Sequence, residues 1–229
     1  MAFQPIVDVS QRKIIYYEAL VRGPKGESAF SILEKVTPDL LYRFDQACRI
    51  KAIELASELG MQERLSINFL PNAVYEPEAC IQATLDTSRR VGWPAHRLNF
   101  EITETERVDD RTHMRSIIES YREMGFTTSL DDFGNGYANL DLLTDLRPDT
   151  LKIDRDLIVG CDSDKRRQAI LRSLVALADT LGTQLIAEGI ETREESRCLL
   201  GLGIPMQQGY YFSYPNLEAL AEIDDAKYD

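Results

Sequence analysis

The sequence predicts an α/β protein, a single (β/α)8 barrel of the TIM type over residues 1–229, on three observations. Apolar, β-branched runs alternate with helix-period segments along the chain, the pattern of βα units on a parallel sheet. No G-x-G-x-x-G follows the first strand-like run, where an open dinucleotide-binding sheet would carry it, so closure into a barrel is favoured. No low-complexity linker and no long charge run splits the 229 residues, which makes one domain the simplest organisation.

Taken in order, the chain begins almost directly in a strand-like segment, and reads equally as an excised domain or a short stand-alone protein. Strands are predicted at 13–20, 64–70, 97–102, 126–130, 150–153 and 183–187 from their apolar, β-branched content. Leu41, Phe44, Cys48, Leu55 and Leu59 share one helix face that Gly60 can terminate. Met114, Ile117, Ile118 and Tyr121 follow i, i+3, i+4, i+7 spacing, with Asp109 or Asp110 as N-cap and Gly125 as stop. Ile170, Leu171, Leu174, Ala178 and Leu181 repeat the scheme up to Gly182. Thr192 with Glu195 makes a capping box for a shorter helix ending near Gly201.

Composition narrows the chemistry. The formal net charge of −12 argues against a nucleic acid polymer as partner, because such affinity rests on Lys and Arg neutralising phosphates. A small phosphodiester stays open if bound cations supply positive charge. No stretch approaches the ~20 apolar residues of a membrane span, and the start lacks the pattern of a secretory signal. Cys48, Cys80, Cys161 and Cys198 are scattered, with no C-x-x-C pair, which suits a reducing cytoplasm. With only two histidines, His96 and His113, a metal site would be built from oxygen ligands, favouring Mg²⁺ or Mn²⁺.

The acidic residues recur towards the ends of predicted strands. Glu18, Glu101 and Glu188 lie there, Asp131-Asp132 directly follows a strand, and Asn68 and Lys152 occupy related places. In a (β/α)8 barrel these ends converge on one mouth, where such folds do their chemistry. Five ionised carboxylates in one cleft repel each other, whereas two divalent cations together with Lys152 bring the local charge close to zero. Metals ~3.5–4 Å apart can activate a water and clamp a phosphodiester, and Asp131-Asp132 is suited to hold both. Each residue also has a plainer role: a strand-end acid can N-cap the next helix, Asn68 can form a turn before Pro71, and Lys152 can snorkel to the surface. Asp132-Phe133-Gly134 mimics a kinase metal motif, but no glycine-rich loop and no H-R-D precede it. Asn135-Gly136 is a hairpin signal, yet residues 138–146 read as helical, so a flexible βα loop is expected.

Eight motifs in order carry a resemblance: Phe3-Gln4-Pro5-Ile6, Glu18-Ala19-Leu20 with Arg22, Ile67-Asn68-Phe69, Glu101-Ile102-Thr103-Glu104, Asp131-Asp132-Phe133-Gly134, Lys152-Ile153-Asp154, Ala187-Glu188-Gly189-Ile190-Glu191 and Gln208-Gly209-Tyr210-Tyr211-Phe212. The chain is similar over nearly its whole length to the EAL phosphodiesterases, which cleave cyclic di-GMP to linear 5′-pGpG. The resemblance implies one metal on Glu18, Asn68, Glu101 and Asp131, and a second on Asp131, Asp132 and Glu188, as Mg²⁺ or Mn²⁺. It implies that Lys152 polarises the attacking water and that Gln208 orders the site. Glu104 would anchor the loop after Asp131. Gln4 and Arg22 would contact guanine or phosphate, and Asp154 and Glu191 would lie on the substrate side or behind the ligands. A homodimer is implied, and, if the chain is an excised domain, a fused or upstream sensory domain is its expected companion.

Departures are mild. Phe69-Leu70 stands where the family often has Ser, and Gly134-Asn135-Gly136-Tyr137-Ala138-Asn139 replaces Gly-Thr-Gly-Tyr-Ser-Ser. The segment from Ile67 to Tyr75 is similar to a subgroup found behind light-sensing modules. The alternative to an enzyme is a catalytically silent cyclic di-GMP receptor, which usually lacks a ligand position; here every metal and lysine position is filled. A different metal-dependent barrel enzyme would need its own acid/base pair for carbon chemistry.

Overall fold

Strand β1 (Ala2–Asp8) turns back through a short connection into β2 (Lys13–Leu20), pairing antiparallel so that Gln4 lies opposite Glu18. The computed structural model describes residues 1–70, 77–103, 111–135 and 140–229. From β2 onward each strand lies parallel to the next: β3 (Arg64–Asn68), β4 (Leu98–Thr103), β5 (Thr127–Phe133), β6 (Thr150–Ile153), β7 (Gln184–Ala187) and β8 (Met206–Gln207). β8 then pairs antiparallel with β1, and among the described residues eight strands close a barrel; the short β9 (Asn216–Leu217) adds to the outer end of β1. The expected barrel is therefore present, with one departure: its first strand runs against the other seven.

Helices α1 (Ala29–Leu33), α2 (Leu41–Glu58), α3 (Pro77–Val91), α4 (Arg111–Glu123), α5 (Leu140–Leu146), α6 (Arg155–Ile158), α7 (Lys165–Leu181) and α8 (Arg193–Gly201) alternate with the strands. The main core fills the space between strands and helices, with Leu65, Ile67, Phe100, Leu151 and Ile153 meeting Ile53, Ile117, Leu171 and Leu199. Several end signals act as read. Gly182 closes α7 in the left-handed conformation, at φ 71°. Thr192 and Glu195 form the reciprocal capping box of α8. The N-cap expected at Asp109 or Asp110 lies outside the described residues. Among them, no helix is long and apolar enough to cross a membrane.

Two helix faces differ from expectation. In α2 the buried residues are Asp45, Arg49, Ala52, Ile53, Leu55 and Ala56, so of the predicted face Leu55 is buried while Leu41, Phe44, Cys48 and Leu59 are only half-buried. Hydropathy points the wrong way there because Asp45 and Arg49 are paired with each other inside the core. In α7, Leu171, Leu174 and Ala178 are buried, but Ile170 and Leu181 face outward.

The barrel interior is divided. One side is apolar, a separate cluster of Ile6, Tyr16, Ile186 and Met206 from β1, β2, β7 and β8. The other side is a hydrogen-bonded chain across β3 to β6: Asn99 Nδ2 donates to Ser66 Oγ and Ser129 Oγ, both at 2.7 Å, and the Ser129 and Thr150 hydroxyls pair. All four residues are buried. Side chains alternate along a strand, so the next same-face residues on β3, β4, β5 and β6 are Asn68, Glu101, Asp131 and Lys152. The polar layer thus forms a floor beneath the mouth.

Candidate active site

The six parallel strands β2 to β7 deliver Glu18, Asn68, Glu101, Asp131, Lys152 and Glu188 to one place. Lys152 Nζ sits among four carboxylates: 2.7 Å from Glu188 Oε1, 3.0 Å from Glu101 Oε2, 3.1 Å from Asp131 Oδ1 and 3.6 Å from Glu18 Oε2. Its side chain is 1 % exposed, so it is no surface lysine. Glu18 is held from both sides, accepting from Asn68 Nδ2 at 3.0 Å and from Gln208 Nε2 at 2.7 Å. Gln208 Nε2 also donates to Gln4 Oε1 at 3.2 Å, and Gln4 Nε2 to the Ser213 carbonyl at 3.2 Å. A side chain at Gly209 would collide with the backbone of Ile190, so only glycine lets the segment beside Gln208 close the barrel here.

The electrostatics are those of an overcharged acidic cleft. Burial pushes the Glu101 carboxyl up to about 8, against the pull of Lys152 and with the push of Glu18 and Asp131. Burial, then Asp131, raises Glu188 well above the carboxylate range and brings Asp132 to about 6. Burial by itself would lower the Lys152 ammonium, but Asp131, Glu101, Glu18 and Glu188 outweigh it and hold the lysine charged. One lysine is too little positive charge for five carboxylates.

The donor set fits divalent cations. Two carboxylate triads, Glu18–Glu101–Asp131 and Asp131–Asp132–Glu188, each bring their ligand atoms within 4.8 Å of one another, and Asp131 belongs to both. Glu101 Oε1 is buried with no hydrogen-bond partner among the described residues, an expensive state for a carboxylate oxygen that a cation would relieve. Asp132 adopts φ 58°, a left-handed backbone uncommon for a residue with a side chain, where the pairing of β5 with β6 shifts register between Leu130 and Phe133. All donors are oxygen, which suits Mg²⁺ or Mn²⁺.

Two clefts flank Glu18. One, of about 250 Å³, is lined by Gln4, Asp154, Arg155, Glu188, Glu191 and Tyr210 among others. The other, of about 440 Å³, runs past Leu20, Phe44, Asn68, Leu70, Asp131 and Asp132. Asp154 caps α6 by accepting from the Asp156 N–H at 2.7 Å, and Glu191 pairs with Arg155 at 2.9 Å, so both acids are held by local structure on the cleft wall. Arg22 turns back on the Val21 carbonyl at 2.7 Å and lines an adjoining groove with Lys51 and Glu218, apart from the carboxylate cluster. Glu104 lies outside the described residues, as do Gly136, Tyr137, Ala138 and Asn139 of the loop after Asp131. Arg155, Asp45 and the Ser66–Asn99–Ser129–Thr150 floor are given no role by the sequence reading, and Tyr210 enters it only within the Gln208–Phe212 motif. Polar residues at alternate positions of buried strands would have indicated the floor.

A family model described as EAL domain matches residues 1–215. The chain belongs to the EAL domain family. Among solved structures, a standalone versatile EAL protein from Vibrio cholerae, in a c-di-GMP bound form, superposes with a TM-score of 0.96 at 45 % identity, covering 100 % of this chain and 97 % of that one. BlrP1 of Klebsiella pneumoniae, in a manganese/cy-diGMP complex, gives 0.91 at 34 % identity, covering 97 % and 57 %. Among curated relatives, the blue light- and temperature-regulated antirepressor BluF of Escherichia coli is 31 % identical over 225 residues, 97 % of this chain and 55 % of BluF. The cyclic di-GMP phosphodiesterase TpdA of Vibrio parahaemolyticus is 29 % identical over 209 residues, 91 % and 36 %. This EAL domain spans about half or less of the length of the curated relatives it matches.

Proposed function

We propose that this EAL domain hydrolyses cyclic di-GMP to linear 5′-pGpG. The observation that carries the reading is the sharing of Asp131 between two carboxylate triads at the barrel mouth, with a cleft on either side. Glu18, Asn68, Glu101 and Asp131 would hold one Mg²⁺ or Mn²⁺, and Asp131, Asp132 and Glu188 the second. Bound there, the pair supplies activation of water and positive charge for the phosphodiester. Water adds to phosphorus as the P–O3′ bond breaks, and the departing O3′ takes a proton. Lys152 is cationic at neutral pH, so it acts as a hydrogen-bond donor to the attacking water and the developing charge, not as a base. Gln208 and Asn68 orient Glu18. Gln4, Asp154 and Glu191 would meet the guanine or ribose side in the smaller cleft, and Arg22 would swing from Val21 to reach a phosphate. Glu104 would anchor the loop after Asp131. The working protein would be a homodimer in the cytoplasm, with a sensory domain as its natural companion.

The second reading is a silent receptor. It is favoured by one observation, that BluF is named an antirepressor. Incubating the purified chain with cyclic di-GMP and Mg²⁺ or Mn²⁺, and following 5′-pGpG by chromatography, decides between them. Product that disappears with chelator supports the enzyme. Tight binding without product supports the receptor, and neither would overturn both.

A further inference from the structure

The ladder of β3 ends at Asn68, so other contacts must fix this residue. On one side the Phe69 N–H donates to the Glu101 carbonyl at 3.1 Å. On the other the Leu70 N–H donates at 3.2 Å to Asp45 Oδ1, a buried carboxylate reaching across from α2. Asp45 Oδ2 pairs with Arg49, which is fully buried and donates to the Tyr121 hydroxyl at 3.4 Å. The Phe69 ring packs between Phe100 and Tyr121, at 5.8 and 5.7 Å between centroids. Asp45 also lines the larger cleft beside Asn68 and Asp131.

This ion pair is poorly explained by stability. Burying two charges costs about what their attraction returns, and apolar pairs of similar volume are often neutral or better. Arg49 Nε moreover has no hydrogen-bond partner among the described residues. What the pair does supply is a fixed acceptor for the Leu70 amide, two residues beyond Asn68.

The geometry points to Asp45, through its acceptor for the Leu70 amide, as a positioning residue that sets the Asn68 side chain for metal binding. The inference rests on the proposed role of Asn68 as a ligand. Partners behind metal ligands typically govern ~10–100-fold in affinity.

The test is calorimetric titration of Mn²⁺ into the chelator-treated full chain, with metal-free melting temperatures alongside. The decisive comparison is D45L/R49M with D45N/R49M: neither carries the ion pair, and only the second keeps an acceptor for Leu70. D45L/R49M is expected to bind Mn²⁺ ~10–100-fold more weakly without a matching loss of metal-free stability, and D45N/R49M to bind close to the parent. Parent-like affinity in D45L/R49M, or equal weakening in both, overturns the inference. Asn68→Ala separates the two levels, because unaltered Mn²⁺ affinity there removes Asn68 from the ligand set and fails the metal reading itself. Should D45L/R49M not fold, hydrogen exchange of the Leu70 amide in the parent decides: protection supports the clamp, and exchange at the rate of an open loop overturns it.

Discussion

Glu18 and Lys152 separate two things a residue in this mouth can do. Glu18 is the carboxylate on which Asn68, Gln208 and Lys152 all converge, and it borders both clefts. Glu18→Ala removes a direct oxygen donor, so turnover of cyclic di-GMP is expected to fall below detection; normal turnover would discard the site assignment. Lys152 has a different place, ringed by carboxylates and held charged by them. Its contribution should grow as charge develops on the reacting atoms, so Lys152→Ala should cost about 10²–10³ in turnover and much less in affinity for cyclic di-GMP. Measuring both constants checks the split, and a collapse of affinity with rate retained would reverse the role.

At the scale of elements, what the sequence made legible follows from how each signal is encoded. Capping is local, so Thr192 and Glu195 could be read from spacing and recur in the structure as a reciprocal box. The strand-end acids were legible because parallel strands must send like ends to one mouth. The polar part of the buried face of α2 was not, since Asp45 and Arg49, paired with each other one helical turn apart, look like a solvent face. Nor was the reversed β1, because alternation of hydropathy gives register and not direction. The α8 cap offers a further test. Burial would raise the Glu195 carboxyl, but N–H donors from Gly160 at 3.0 Å, Glu191 at 3.1 Å and Thr192 at 3.2 Å hold it below the usual range. A depressed carboxylate adds stability that is present above its unfolded value near 4.5 and is lost as pH falls through the lower folded value. Glu195→Gln is therefore expected to cost ~1–3 kcal/mol at pH 7, with the gap narrowing at pH 3, by urea denaturation at both.

The whole molecule couples the mouth to global stability through protons. Without metal, Glu101 titrates at about 8 and Asp132 at about 6, both above their unfolded values, and Glu188 is raised in the same direction. Between pH 5 and 8 the folded chain then binds more protons than the unfolded one, so stability falls as pH rises through this window. Lys152 does not oppose that slope, because it stays charged in both states until well above pH 8. Bound divalent cations reverse the logic: they need the ionised carboxylates, displace protons on binding, and so bind more tightly as pH rises. Saturation at 100 times the dissociation constant adds ~2.7 kcal/mol. Melting temperatures with chelator are accordingly expected to decline from pH 5 to 8, while those in Mn²⁺ hold level or climb, so that the metal-induced shift widens with pH. Parallel curves at all pH values would mean that the raised carboxyls and the metal do not share a site, and would detach the acidic cluster from the chemistry proposed for it.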